Sequence, residues 1–305
     1  MHRRSFVKAG LLTGAATATG SLAFGKEKNT PDHADKPFNL DYAPHEGMFR
    51  NHGGADFIDQ IKYACDKGFR SIEDNGMTGR TPDMQQKIGE TLAKLNMRMG
   101  VFVVPKGGNS ANSLAAGKQE YIDIFLKGCR ETVEVAKRVN VKWVTVVPGD
   151  YERWLPIGIQ TANVVDALRR GADILEPQGI VMVLEPLSDS PNLFLQTSDQ
   201  AFEICRAVNS PSCKILFDAY HLQKTEGNLI TNIDRCWSEI AYFQIGDNPG
   251  RKEPTTGEIN YRNIFKHIYQ KGYKGIMGME HGNAKPGKEG ELSLIEAYRW
   301  SDNFL

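Results

Sequence analysis

From Phe38 onward, short apolar or β-branched runs alternate with longer stretches in which apolar residues recur at helical spacing. The short runs predict strands at Phe38–Tyr42, Ser71–Glu73, Arg98–Val104, Lys142–Val147, Ile180–Leu184, Lys214–Phe217, Ile240–Gln244 and Gly275–Met279. The stretches between them predict amphipathic helices, among them Ala55–Lys67, Pro82–Leu95, Tyr121–Val139, Thr161–Leu175, Ser198–Val208 and Tyr261–Tyr269. Several close on a helix-ending glycine just before the next strand, as at Lys67-Gly68-Phe69, Pro177-Gln178-Gly179 and Lys271-Gly272-Tyr273. Eight βα units of roughly 35 residues each predict an α/β fold, a single (β/α)8 TIM barrel. The length of 305 residues would allow two domains, but no GxGxxG follows an early strand to support a doubly wound sheet.

The first residues break this rhythm. Met1-His2-Arg3-Arg4-Ser5-Phe6-Val7-Lys8 precedes the weakly apolar run AGLLTGAATATGSLAFG. This start resembles a twin-arginine export signal, with Ser21-Leu22-Ala23 placing small residues at a plausible cleavage site. The run is too short and too rich in small residues for a stable membrane span. Residues 1–25 are therefore expected to be a signal peptide, 26–36 a polar linker around Pro31, and 37–305 the barrel. The expected location is periplasmic or otherwise exported, with the twin-arginine machinery as a partner.

Composition narrows the function. There are 37 Lys plus Arg against 37 Asp plus Glu, which argues against a nucleic-acid binder held by bulk charge. Arg3, Arg4 and Lys8 belong to the signal, which has no acid, so the remainder is slightly acidic. The five cysteines form no CxxC pair and no zinc cluster with histidines, and are expected to be buried, unpaired thiols.

In a barrel the strand C-termini converge on one face, so a polar residue ending an apolar strand is a candidate site group. Four successive strands end that way, in Glu185, Asp218, Gln244 and Glu280, at intervals of 33, 26 and 36 residues. Taken singly, each is as well explained as a carboxylate or amide capping the next helix. Together they project to one point, where three carboxylates beside an amide oxygen require a cation or shared protons. Hard oxygen donors suit Mg2+ or Mn2+, with Co2+ or Zn2+ as alternatives.

These residues carry a family resemblance. The stretch from Gln244 to Tyr261 (QIGDNPGRKEPTTGEINY) resembles the seventh-strand segment of the hydroxypyruvate isomerases, within the xylose-isomerase-like superfamily. Leu216 to Gln223 (LFDAYHLQ) is similar to their sixth-strand segment, and Gly278-Met279-Glu280 to their last strand. Leu184-Glu185-Pro186-Leu187 and Gly68 to Glu73 (GFRSIE) are similar to the fifth and second. The resemblance implies a divalent metal ion held by Glu185, Asp218, Gln244 and Glu280, with His221 and Arg251 facing the substrate.

Moving a carbonyl to its neighbouring carbon requires removal of a poorly acidic C–H proton and its return next door through a cis-enediolate. A divalent ion chelating both oxygens stabilises that charge. Two carboxylates flanking the carbons then serve as base and acid, roles the family assigns to the positions of Glu185 and Glu280. His221 can donate to a substrate oxygen, and the Arg251 fork suits a substrate carboxylate unless it is spent on Glu253 or Glu258. His45, after the first strand, is a further candidate for the substrate mouth. Trp143 and Trp154 could offer sugar-stacking faces, although packing explains each more simply.

The chain departs from the family in having Pro186-Leu187-Ser188 after Glu185 and His281-Gly282-Asn283 after Glu280. These changes spare the ligand set and leave the substrate open. The expected function is a metal-dependent aldose–ketose type isomerase acting on a small carbonyl compound or sugar. A periplasmic sugar epimerase or 3-keto-glycoside lyase with the same site is the first alternative, and a non-catalytic sugar-binding barrel the second. Superfamily members that process abasic DNA use more histidines and basic surfaces, whereas this chain has only 7 histidines and no basic excess. A homo-oligomer is left open.

Overall fold

A computed structural model describes residues 35–305. The export motif and all but the last two residues of the expected linker lie outside the described residues. Eight parallel strands alternate with helices: β1 (Asp41–Ala43), β2 (Ser71–Ile72), β3 (Arg98–Met99), β4 (Trp143–Val146), β5 (Val181–Leu184), β6 (Cys213–Asp218), β7 (Ile240–Gln244) and β8 (Ile276–Gly278). The helices are α1 (Arg50–Gly53), α2 (Phe57–Asp66), α3 (Pro82–Leu95), α4 (Gln119–Val139), α5 (Ile157–Leu175), α6 (Ser198–Val208), α7 (Ala219–Thr225), α8 (Leu229–Cys236), α9 (Tyr261–Gln270) and α10 (Gly287–Asp302).

Six strands form one parallel sheet in the order β1-β8-β7-β6-β5-β4, and β2 pairs with β3. Single parallel bridges, His45 with Glu73 and Val103 with Thr145, join the two sheets. The ring is thereby closed as the alternating pattern predicts. The apolar run expected as a strand over 98–104 keeps a two-residue ladder and then continues through isolated bonds, such as Gly100 N–H to Ile72 O (2.7 Å) and Thr145 N–H to Phe102 O (2.8 Å).

Local chemistry sets the helix ends. Asp56 accepts from Ile58 N–H (2.9 Å) and starts α2, while Thr81 accepts from Met84 N–H (3.3 Å) ahead of Pro82 in α3. Gly68, Gly179 and Gly272 have positive φ at the expected stops. Asn96, Asn140 and Asn209 do the same job for α3, α4 and α6 at φ 53°, 53° and 56°. Asparagine tolerates the left-handed region, so a search for glycines alone misses these ends.

Two apolar layers hold the barrel. Ala43, Val101, Trp143, Val183, Leu216, Tyr242 and Ile276 fill its interior. A larger layer between strands and helices includes Phe125, Leu168, Ile204, Phe217, Phe265 and Tyr298. All five cysteines are buried and free. Trp143 lies inside the barrel, 5.9 Å from the Tyr242 ring, so packing accounts for it. Among the described residues no helix is long and apolar enough to cross a membrane.

Candidate metal and proton-transfer site

The four strand-end residues meet. Glu185 follows β5, Asp218 ends β6, Gln244 ends β7 and Glu280 follows β8, all at the C-terminal mouth of the ring. Asp218 ↔ Gln244 and Gln244 ↔ Gly278 are partners in the ladder, which fixes these side chains at one level. One ligating atom from each of Glu185, Asp218, His221 and Glu280 lies within 4.8 Å of the others.

Three buried oxygens at these strand ends have no hydrogen-bond partner among the described residues: Glu185 Oε1, Asp218 Oδ2 and Gln244 Oε1. Buried acceptors are ordinarily satisfied, because leaving one bare costs about 1–3 kcal/mol. The donor set, two carboxylates and an amide oxygen beside Glu280, is the hard-oxygen kind that divalent cations take. The residues present therefore fit a metal ion. Asp218 also performs the simpler role considered for it, since its Oδ1 accepts from Tyr220 N–H (2.7 Å) and caps α7. One oxygen caps and the other is left over.

Charge is crowded here. Burial first, then the Glu280 and Asp218 charges, push the Glu185 carboxyl well above the ordinary carboxylate range. Burial and Asp218 do the same to Glu280. Glu73, at the end of β2, is pushed up to about 7, mainly by burial. Such a cluster holds extra protons unless a cation is present.

Arg251 supplies one cation. Its Nη2 donates to Glu280 Oε2 (2.8 Å) and lies 3.7 Å from Asp218 Oδ2, while the guanidinium stacks 4.9 Å from the Tyr220 ring. It is not spent on Glu253 or Glu258. Its backbone stands at φ 50°. A non-glycine residue in that region at a site is the kind of strain that surrounding structure must enforce. Bonds from Arg251 N–H to Asp247 O (2.7 Å) and from Gly282 N–H to Arg251 O (3.2 Å) hold it, and the Asp247 carboxylate braces the same loop by accepting from Gly257 N–H (2.8 Å) and Ile259 N–H (3.0 Å).

His221, on the first turn of α7, is fully buried. Its Nδ1 is 2.8 Å from Ser188 Oγ, and its Nε2 is 3.1 Å from Arg251 Nη2 and 3.6 Å from Asp218 Oδ2. Burial lowers its pKa, so a neutral ring with one donor and one acceptor nitrogen faces the cluster. Ser188, the last residue of the departure from the family pattern at Pro186-Leu187-Ser188, thus contacts a site residue. His45 is at the mouth, with its ring nitrogens 2.7 Å from Glu46 O and 3.0 Å from His281 O, so that its one N–H is turned to a backbone carbonyl in either tautomer. It lines a cleft of about 350 Å3 with Glu46, Asp74, Asn75, Gly76 and Glu280, so it shapes the entrance. Trp154 is 92% exposed, so packing among the described residues does not account for it.

Two site residues were not singled out from the sequence. Asn75 donates to Glu280 Oε1 (2.8 Å), opposite Arg251. Glu73 accepts from Tyr242 OH (2.7 Å) and Gln244 Nε2 (2.8 Å). The strand-end rule that picks out the other four applies to Glu73 as well, but β2 is only two residues long.

Comparison with known proteins agrees with this fold. The family model described as "Xylose isomerase-like TIM barrel" matches residues 61–304. The chain is 29% identical to the hydroxypyruvate isomerase of Escherichia coli (strain K12) over 262 residues, 83% of this chain and 95% of that one. It is 28% identical to the 2-oxo-tetronate isomerase of Pectobacterium atrosepticum over 245 residues, 79% of this chain and 92% of that one. Among solved structures, the "AP endonuclease, family 2" from Brucella melitensis superposes with a TM-score of 0.71 at 22% identity, over 85% of this chain and 99% of that chain. At that identity the likeness speaks for the fold alone. With matches spanning most of the barrel, the chain belongs to the xylose isomerase-like TIM barrel family.

Proposed function

We propose that the chain is a metal-dependent isomerase that interconverts short 2-oxo acids bearing a neighbouring hydroxyl with their isomers, hydroxypyruvate being the simplest such substrate. The convergence of three unpartnered buried oxygens with Glu280 at the barrel mouth carries this assignment. The names of the two isomerase relatives support its reaction class.

A divalent ion held by Glu185, Asp218, Gln244 and Glu280 would act as a Lewis acid toward the charge that develops on the two substrate oxygens; Mg2+ or Mn2+ suits these donors best, with Co2+ or Zn2+ as alternatives. The chain's own residues do the rest. Glu185 and Glu280, within 4.8 Å of one another at their closest ligating atoms, remove the C–H proton and return it to the adjacent carbon. Arg251 offers its guanidinium to the substrate carboxylate, a charge-assisted contact that sets which end of the molecule enters first. His221 holds one substrate oxygen through Nε2, and Ser188 fixes the ring from behind. Asn75 keeps Glu280 turned toward the substrate. The twin-arginine motif at Arg3-Arg4 supports a periplasmic or otherwise exported place of work.

The experiment is a product assay. Protein loaded with each of the four metals is incubated with hydroxypyruvate, other short hydroxy-2-oxo acids, ketoses and 3-keto-glycosides, and products are followed by NMR. Isomerised 2-oxo acids are expected. Inverted ketoses or cleaved glycosides without 2-oxo acid turnover would move the assignment to the epimerase or lyase reading, and binding without turnover to the sugar-binding barrel.

A further inference from the structure

Inside the ring, directly beneath the proposed ligands, a buried polar group interrupts the apolar filling. Glu73 from the end of β2 reaches across to β7, where it accepts from Tyr242 OH (2.7 Å) at Oε2 and from Gln244 Nε2 (2.8 Å) at Oε1. Glu73, Tyr242 and Gln244 are each no more than 1% exposed. The barrel wall is hollowed to admit them. A Cβ at Gly278 would overlap Glu73 Oε2, and one at Gly100 would overlap the Tyr242 hydroxyl.

An amide side chain can present either its oxygen or its nitrogen, and the two ends have nearly the same shape. At Gln244, the ladder partner of Asp218, only one orientation satisfies Glu73, and that orientation leaves Gln244 Oε1 without a partner, as Glu185 Oε1 and Asp218 Oδ2 are at the neighbouring strand ends. The other would turn an NH2 toward the cluster, where it could not ligate a cation. Tyr242 OH can either donate or accept, so Glu73 Oε1 stays free to accept from Gln244 whether or not Glu73 carries a proton.

We propose that Glu73 is a positioning residue for the metal site, locking the Gln244 amide with its oxygen toward the cation, while the glycines at 100 and 278 make room for the lock. The proposal rests on the metal-dependent reading of the site. It explains why a carboxylate is buried beside the apolar cluster inside the barrel. It also gives the strand-end position of Glu73 a purpose other than ligation.

The test is metal affinity, measured by calorimetric titration of chelator-stripped full-length protein with Mn2+. Wild type is expected to bind one ion per chain; if it binds none, the metal reading fails before the positioning role is reached. Glu73→Gln keeps the reach and an acceptor oxygen but loses the charge, and its affinity should stay within about threefold of wild type. Glu73→Leu removes the acceptor and should weaken binding by about 10–100-fold, the usual effect of losing a residue that orients a ligand. In a Gln244→Ala background, Glu73→Leu should cost nothing further, because its effect passes through that amide. Should Glu73→Leu fail to fold, Glu73→Asp keeps the charge, withdraws the acceptor, and should weaken binding about tenfold. Binding that follows charge, with Asp tight and Gln weak, would overturn the proposal. So would an undiminished effect of Glu73→Leu in the Gln244→Ala background.

Discussion

Arg251 Nη2 lies 2.8 Å from Glu280 Oε2, so the guanidinium proposed to receive the substrate's carboxylate rests on a carboxylate of the protein. A substrate acid group entering the mouth competes for that fork. Arg251→Lys removes the two-pronged geometry and leaves a point charge. We expect kcat/KM for 2-oxo acids to fall by about 10–100-fold in Arg251→Lys, mostly through KM, corresponding to a loss of about 1.5–3 kcal/mol. Neutral ketoses, lacking the carboxylate, should be affected much less. An equal loss for acids and ketoses in steady-state assays would show that Arg251 does not read the acid group.

Glu185 and Glu280 are proposed to share the proton transfer. Replacing either by glutamine preserves shape and removes the proton acceptor. Each variant should lose about 10²–10⁴-fold in kcat while its circular dichroism and thermal unfolding stay close to wild type. Full activity in either variant would remove that residue from the chemistry.

Asp218 uses one oxygen to cap α7 and leaves the other toward the cluster. The two roles separate by substitution. Asp218→Asn retains a capping oxygen and should keep its stability, yet bind Mn2+ far more weakly; Asp218→Ala should also lose about 1 kcal/mol of stability with the cap. Denaturant unfolding and metal titration of the two variants distinguish these effects. Equal metal affinity in Asp218→Asn and wild type would show that Oδ2 is not a ligand.

Lys106 is buried, donating to Gly108 O (2.9 Å) and Ala111 O, and burial pushes its pKa down to about 8 from 10.5. Between those values the unfolded chain binds more protons than the folded one. Stability from this group therefore rises with pH across the window, by at most about 1.4 kcal/mol per pH unit, and is level on either side. The difference in unfolding free energy between wild type and Lys106→Met, measured in urea across the window, should grow in favour of wild type as pH increases. A flat or falling difference would contradict the burial of the charge.

Much of this architecture was legible in the chain because a barrel's logic is periodic. Alternating strands and helices specify the ring, and the apolar-then-polar endings at Glu185, Asp218, Gln244 and Glu280 mark its working face. Arg251 and His221 came from the family resemblance, and both reach the cluster. What escaped was what depends on contacts across the ring. Glu73 matters because it faces Gln244 from a strand 171 residues earlier, and Asn75 because it faces Glu280 at a separation of 205. No local pattern encodes such pairings. His45 shows the converse, a histidine at the right height whose ring N–H is turned to a backbone carbonyl in either tautomer.

The central claim is that this barrel moves a proton between neighbouring carbons of a hydroxy-2-oxo acid, using Glu185 and Glu280. The direct measurement is proton NMR of hydroxypyruvate incubated in D2O with the metal-loaded wild type and with Glu280→Gln. Wild type should introduce deuterium at the hydroxyl-bearing carbon next to the carbonyl, at or above the rate of isomer formation, and Glu280→Gln should nearly abolish it. Isomer formation without solvent deuterium, or full exchange in Glu280→Gln, would contradict it.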